Sequence, residues 1–294
     1  MHWRKTAILG VGLLGGSLGL ALRKRGLCQE VAGLVRRESA IPEALAAGAL
    51  DSASMRLEEV VSGADLVVFC TPIAQMPILA QQLAGHLKRG AVVTDVGSVK
   101  ASVIGALEKV VDQAGGSFVG SHPLAGSERS GVSSARADLF DGAVTVVTPN
   151  THSDAGAGIQ VVQLWEAVGS RVVTLDPEIH DTLISRTSHL PHLVAAALAH
   201  FVLSPAHPAE QRDLCATGFR DTTRVASGSP EMWRDIAVAN RTSLMVAFDG
   251  FEHALRELRS AVEAGDGAAI HAFLECSKER RDGWATSVRS SGAE

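Results

Sequence analysis

The rhythm of hydrophobic and polar positions changes once along the chain. Up to about Pro177, short apolar runs alternate with amphipathic stretches, whereas from Glu178 onward apolar residues recur at helical spacing with no strands between them. In the first part, Thr6–Leu9, Glu30–Val35, Leu66–Cys70, Ala91–Asp95, Ser117–Gly120, Ala143–Thr148 and Arg171–Leu175 predict strands. Helices are predicted over Ser17–Arg25, Ile41–Ala47, Leu57–Ser62, Met76–Leu87, Ala101–Gln113 and Ala155–Val168. Near-continuous apolar strands separated by helices indicate a parallel sheet covered on both faces. In the second part the expected helices are His180–Leu203, kinked at Pro191, then Glu231–Glu263 and Gly267–Arg289. The middle one would be about 50 Å long. That exceeds what so small a domain can bury, so the helices are expected to pack against a second copy as a homodimer.

Glycines give the first part its chemistry. The strand ending at Leu9 runs into GVGLLGGSLG, Gly10–Gly19, and a helix follows. In G-x-G-x-x-G the first glycine makes the turn, the second admits a pyrophosphate and the third lets the helix pack on the strand. Gly10, Gly12, Leu13, Leu14 and Gly15 are therefore the candidate phosphate cradle, at a helix N-terminus that favours anions. The expected fold is an α/β Rossmann-type dinucleotide-binding domain over residues 1–177 and an all-α domain over 178–294. The same stretch contains G-x-S-x-G, a hydrolase nucleophile elbow, but Ser17 should already lie inside the helix rather than at the turn. At the end of the second strand, where NAD-selective folds carry a carboxylate, stands Val35, followed by Arg36, Arg37, Glu38 and Ser39. Two guanidiniums suit a 2′-phosphate, so Arg36, Arg37 and Ser39 favour NADP, with NAD the alternative. A solvated helix entry would explain the arginines equally simply.

Other polar residues end strands on the same sheet edge, where open α/β sheets bind ligands. They are Thr71 and Pro72, Ser98 and His122. Ser98 also fits a helix N-cap, and Glu128 fits a surface carboxylate. In the helical part, His189 and His192 share a face. A metal pair lacks a third ligand at recognisable spacing, and buried, hydrogen-bonded histidines are a plain alternative. Thr217–Arg224 reads as a polar turn able to bind a carboxylate through arginine, or as a surface salt-bridge cluster.

Composition narrows the class. Hydrophobic residues make up 46% and charged residues 20%, so the chain is globular. A net charge of −5 without a basic stripe gives no reason to expect nucleic acid. Cys28, Cys70, Cys215 and Cys276 are scattered, which suits reduced thiols in a cytoplasm. The N-terminus leads straight into the first strand without a signal peptide, and no apolar run is long enough to span a membrane.

Together the segments GVGLLGGSLG, Thr71–Ile73, DVGSVK (Asp95–Lys100), HPLAGSE (His122–Glu128), SHLPH (Ser188–His192) and GFRDTTR (Gly218–Arg224) resemble the prephenate/arogenate dehydrogenase family of tyrosine biosynthesis. They fall in family order over nearly the whole chain. The resemblance implies that a cyclohexadienol loses hydride from its carbinol carbon to a nicotinamide, releases CO₂ and becomes aromatic. His122 would take the ring-hydroxyl proton and Ser98 would orient it. Arg224 would pair with a substrate carboxylate and Trp233 would wall the pocket. His189, His192, Ser127 and Glu128 would complete the substrate site, without a metal. It implies a helical, dimeric second domain. Prephenate is favoured over arogenate, since a cation such as His192 suits a keto acid, although Glu128 would suit an amine. A β-hydroxyacid-type reductase of the same build, or a non-enzymatic NADPH-binding regulator, are the rival readings.

Overall fold

The computed structural model describes residues 2–126, 129, 131–149 and 154–291. The chain divides into two compact units, Met1–Arg241 and Thr242–Glu294. In the first, a parallel sheet is formed by β1 (Trp3–Leu9), β2 (Cys28–Leu34), β3 (Ser52–Ser54), β4 (Leu66–Phe69), β5 (Val92–Asp95) and β6 (Ser117–Phe118). Their spatial order is 3-2-1-4-5-6. The crossovers carry α1 (Leu13–Lys24), α2 (Ala40–Ala46), α3 (Leu57–Val61), α4 (Met76–Leu83) and α5 (Ala101–Gln113). The order reverses between β1 and β4, which opens a crevice at their carboxyl ends. Burial follows the alternation expected of a doubly covered sheet. Ile8 and Val68 face one core with Leu18, Leu22 and Trp165, while Leu9, Val67 and Phe69 face the other with Met76, Leu83 and Leu107.

The sheet is not continued by the later strands, contrary to the simple alternation read from the sequence. After β6, the Val119 N–H makes a last bond to the Val93 carbonyl at 2.9 Å, and β7 (Gly120–Pro123) then joins β8 (Val144–Thr148) antiparallel, with β9 (Arg171–Thr174) parallel to β8. This second, three-stranded sheet is backed by α6 (Ala155–Ala167). The short edge strand β3 escaped prediction because Ser52–Ser54 has no apolar run. Helix α1 begins at Leu13 rather than Ser17, because the turn is complete at the N-cap Gly12 and Gly15, Gly16 and Gly19 are helical. Ser17 lies inside that helix, fully buried, and its hydroxyl accepts the Arg136 N–H at 2.9 Å, so it is no exposed nucleophile.

The helical region departs from expectation three times, each for a local reason. His180–Leu203 falls in a helical run that is unbroken from Pro177 to Val202 but widened by a π turn ahead of Pro191. It is α7 (Pro177–Ile184), a π turn over Ser185–His189, and α8 (Leu190–Val202), with Pro191 in the first turn of α8. The Ser185 and Thr187 hydroxyls bond the carbonyls of Thr182 and Leu183 around that widened turn. The Thr217–Arg224 stretch is not a loop but α9 (Thr217–Thr223), running into a 3-10 turn at Arg224–Ser227. Thr222 and Thr223 turn their hydroxyls back onto the Gly218 and Phe219 carbonyls, which makes threonine tolerable in a helix. Finally, the single helix expected over Glu231–Glu263 breaks at Asn240 into α10 (Pro230–Ala239) and α11 (Arg241–Glu263).

The second unit consists of α11 and α12 (Gly267–Ser291). Met245, Val246, Phe251, Leu255 and Val262 of α11 are exposed, as are Leu274 and Trp284 of α12. Among the described residues no helix is long and apolar enough to cross a membrane.

Candidate active site

The turn after β1 is shaped by what a Cβ would meet. Gly10 has φ +103°, and a Cβ there would lie 2.8 Å from the Cys70 carbonyl oxygen at the end of β4. At Gly15 it would lie 2.1 Å from the Gly10 carbonyl oxygen, so these two glycines let β1, α1 and β4 touch. At Gly12, the N-cap of α1, nothing lies within 4 Å of that position. The open face thus coincides with a helix N-terminus that has no side-chain cap and no acid in its first turn, where free N–H groups favour an anion. Leu13 and Leu14 form that first turn, half-buried. Across the crevice, Thr71 Oγ1 is buried without a hydrogen-bond partner, next to exposed Pro72. These features fit a dinucleotide: an uncapped helix end for phosphate, and an orphaned hydroxyl beside it. Arg36, Arg37 and Ser39 lie exposed between β2 and α2, with Arg37 3.5 Å from Glu43.

His122 is carried by β7, which is tied to β5 through buried polar groups. Asp95 Oδ1 accepts the Ser121 N–H at 3.0 Å, and the Ser121 hydroxyl donates to the Asp95 carbonyl at 2.5 Å. Lys100 Nζ bonds the Asp95 carboxylate and, at 2.7 Å, the Ser121 carbonyl. Trp165 Nε1 donates to Ser121 Oγ at 2.9 Å. Both Lys100 and Asp95 are fully buried. Burial pushes the Lys100 ammonium below its ordinary pKa, and the Asp95 carboxylate opposes that shift. The network locks the residue before His122 on three sides.

His122 itself reaches the helical region. Its Nδ1 lies 2.9 Å from His180 Nε2 on α7, and His180 Nδ1 lies 2.8 Å from Asp181 Oδ1. Asp181 also accepts the N–H groups of Lys100 at 2.7 Å and Ala101 at 3.0 Å. The N-terminus of α5 is therefore capped by Asp181, not by Ser98 as the sequence suggested. Ser98 is left half-buried in the β5–α5 loop. Asn240 Nδ2 donates to the Asp181 carbonyl at 2.9 Å and faces His189 Nδ1 at 3.0 Å. His189 Nε2 is buried with no partner. Trp233 stacks on His192, with centroids 3.5 Å apart and planes 16° from parallel, and meets His189 edge-on at 6.1 Å. Gly228 makes room for that stack, since a Cβ there would lie 2.6 Å from Trp233 Nε1 and 2.8 Å from His192 Cε1.

Burial holds His122 well below the usual imidazole pKa, with His180, Lys100 and His189 adding to the effect. Burial also lowers His189, to about 4; Asp181 and the Ser98 backbone oppose it. The same cause lowers His192, so it is not the cation that the sequence reading placed at the keto-acid end of the substrate. These are neutral imidazoles at neutral pH, one of which has a free nitrogen able to handle a proton.

Of the residues singled out from sequence, His122, His189, His192 and Trp233 thus belong to one connected cluster. Arg224 is exposed at the head of the 3-10 turn that packs on α8, the helix bearing His192. Ser127 and Glu128 lie outside the described residues. Sequence reasoning missed His180, Asp181 and Asn240. All three sit within predicted helices, where a His-Asp pair or a lone Asn carries no local signal.

Comparison with known proteins decides the family. Residues 18–174 match the prephenate dehydrogenase nucleotide-binding domain, and residues 176–276 match the prephenate dehydrogenase dimerization domain. The chain belongs to the prephenate dehydrogenase family. It is 34% identical over 291 residues to a prephenate dehydrogenase of Bacillus subtilis, covering 96% of this chain and 77% of that one. It is also 34% identical over 283 residues to a cyclohexadienyl dehydrogenase of Zymomonas mobilis, covering 95% of each. The crystal structure of prephenate dehydrogenase from Aquifex aeolicus, in complex with hydroxyphenyl propionate and NAD+, superposes with a TM-score of 0.90 at 32% identity, covering 96% of this chain and 98% of that one. Within this family, a parallel-sheet nucleotide-binding part followed by helices is the shared build, and the present chain has it.

Proposed function

We propose that this protein oxidatively decarboxylates prephenate to 4-hydroxyphenylpyruvate in tyrosine biosynthesis, with a nicotinamide dinucleotide as oxidant. The observation that carries this reading is His122 itself, buried within β7 and joined to His180 of α7, in a chain of this family. The bound nicotinamide supplies the hydride acceptor. Gly10, Gly12, Leu13, Leu14 and Gly15 hold its pyrophosphate on the α1 N-terminus, and Thr71 and Pro72 line the facing wall. Arg36, Arg37 and Ser39 favour the 2′-phosphate of NADP, with NAD the alternative.

His122 accepts the proton of the ring hydroxyl as the carbinol carbon is oxidised, and Ser98 orients that hydroxyl. A neutral base is required for this step, and desolvation keeps the imidazole neutral. Arg224 pairs with a substrate carboxylate, and the stacked His192 and Trp233 wall the ring pocket beside His189. Ser127 and Glu128, which follow His122 in the same motif, complete the set of substrate-binding residues. Loss of CO₂ and aromatisation make the step irreversible. The substrate half runs over residues 178–294, and the exposed apolar residues of α11 pair two copies as a homodimer. The four cysteines, all unpaired, suit a cytoplasmic location.

The test is direct. Purified protein is given NAD+ or NADP+ with prephenate and then arogenate, and absorbance at 340 nm is followed. Turnover of prephenate, with a higher kcat/KM for NADP+ than for NAD+, is expected. Faster turnover of arogenate would move the assignment to the amino substrate. No turnover with either substrate would reject both.

A further inference from the structure

His122 and His189 differ in which nitrogen their neighbours occupy, and both sets of neighbours lead back to one residue. The Asp181 carboxylate takes N–H groups from Lys100 and Ala101 and so acts as an acceptor. His180 Nδ1, 2.8 Å from Asp181 Oδ1, must then carry a hydrogen. A His180 ring that carries its one hydrogen on Nδ1 has its lone pair on Nε2. His122 Nδ1, 2.9 Å away, donates to it, and the His122 lone pair falls on Nε2. The second branch starts at the Asp181 main-chain carbonyl, which can only accept. Asn240 Nδ2 donates to it at 2.9 Å, which fixes the orientation of the amide. The other hydrogen of that NH₂ points to His189 Nδ1 at 3.0 Å. His189 Nδ1 is therefore an acceptor, and its hydrogen sits on Nε2, the atom that is buried without a partner.

We propose that Asp181 sets opposite tautomers in the two imidazoles, through His180 on one side and Asn240 on the other. His122 then presents a proton-accepting Nε2, and His189 presents an Nε2–H that donates to an oxygen of the bound substrate or cofactor. His180, Asp181 and Asn240 are positioning residues; none of them touches the reacting atoms in this scheme. The inference rests on the reading of His122 as the base. It explains why two neutral imidazoles can serve one site without competing for the same proton. It also gives the break between α10 and α11 a purpose, since Asn240 leaves the helix to bridge Asp181 and His189. The groups facing His122 are His180, Lys100 and His189, and those facing His189 are Asp181, His180 and His192. Lys100 and Asp95 form a buried ion pair beside this cluster.

The tautomers can be read without any mutation. The full chain, labelled with 15N only at histidine, gives distinct ring-nitrogen shifts for protonated and unprotonated positions. Single His122→Gln, His180→Gln and His189→Gln spectra assign them. At pH 7.5 we expect hydrogen on Nδ1 of His122 and His180 and on Nε2 of His189. Hydrogen on Nε2 of His122, or on Nδ1 of His189, overturns the inference. In Asp181→Asn, the new NH₂ can donate to His180 Nδ1 and reverse the relay. Its kcat should fall by roughly 10²–10⁴-fold with the dinucleotide Kd within about twofold, and the His122 hydrogen should move to Nε2. An Asp181→Asn protein that folds and keeps wild-type kcat would count against it. Asn240→Leu identifies the oxygen that His189 serves: a raised Kd for the dinucleotide alone points to the cofactor, a raised KM at unchanged Kd points to the substrate, and no change in either overturns the donor half. The two readings fail separately. If the tautomers are as stated while His122→Gln still turns over, the base is wrong and the tautomer inference stands. If His122 is essential but carries its hydrogen on Nε2, the reverse holds.

Discussion

At the turn after β1 the binding groups are backbone N–H groups supplied by residues adjacent in sequence. At the imidazole cluster they are side chains drawn from Asp95 through Asn240, joined by hydrogen bonds across β5, β7, α7 and α10. The first site needs small residues and a helix end, so its chemistry is generic and its shape is everything. The second needs particular ring nitrogens in particular protonation states, so its chemistry is specific and depends on partners far along the chain. Binding and reaction should therefore be separable by mutation, in both directions.

The largest separation is expected at His122. Replacing it with Asn removes the proton acceptor while leaving the crevice between β1 and β4 untouched. The kcat should fall by about 10²–10⁴-fold, with dinucleotide affinity, measured by fluorescence titration, nearly unchanged. Near-normal turnover in that variant would remove His122 from the reaction. The converse variant is Gly10→Ala. Its Cβ would meet the Cys70 carbonyl oxygen at 2.8 Å and Thr71 Cγ2 at 2.9 Å, at a φ of +103° that disfavours any side chain. Strain of about 1–3 kcal/mol is typical of such positions, so dinucleotide affinity should drop on the order of tenfold or more. A variant with unaltered Kd would show that the turn does not shape the cofactor site.

The same contrast explains what could be read from sequence. The glycine-rich turn was legible because its requirements are local: Gly10, Gly12 and Gly15 announce a tight bend, an open face and a close contact within six residues. The central strands were legible because Leu66–Phe69 is buried on both faces and apolar throughout, and β5 opens on the buried pair Val92 and Val93. His122 stood out by its motif, although it lies within β7, paired with Val146, rather than at the strand exit that the sequence suggested. Its support was not legible. His180 and Asp181 fall on a helix whose apolar spacing masks them, and the capping role given to Ser98 belongs to Asp181, which is 80 residues away from the Ala101 N–H it accepts. The break at Asn240 was invisible for the same reason: nothing nearby ends the helix, and its side chain is engaged by Asp181 and His189. Long-range hydrogen bonding overrides helical periodicity there.

The two regions should also part company in acid. His189 has a folded-state pKa of about 4 against an ordinary 6.5, and His122 and His192 are lowered as well, all chiefly by burial. Above pH 6.5 neither the folded nor the unfolded chain protonates these rings, and their full contribution to stability is present. As pH falls from 6.5 towards 4, the unfolded chain binds a proton that folded His189 refuses, so stability declines by about one proton's worth at that ring, with His122 and His192 acting in the same direction. The carboxylates with lowered pKa, such as Asp65, start from an ordinary value of 3.8 and lose their contribution mainly below this window. Urea unfolding followed from pH 7.5 to pH 4.5 should therefore show a steady loss. In His189→Gln the slope should be shallower by about one proton, because one neutral ring has been removed from the count. In Gly10→Ala the whole curve should instead shift down in parallel, since the backbone cradle contains no group that titrates. Equal slopes in wild type and His189→Gln would mean that His189 is not held neutral by the fold, and the distinction between a backbone-built and an imidazole-built site would lose its electrostatic half.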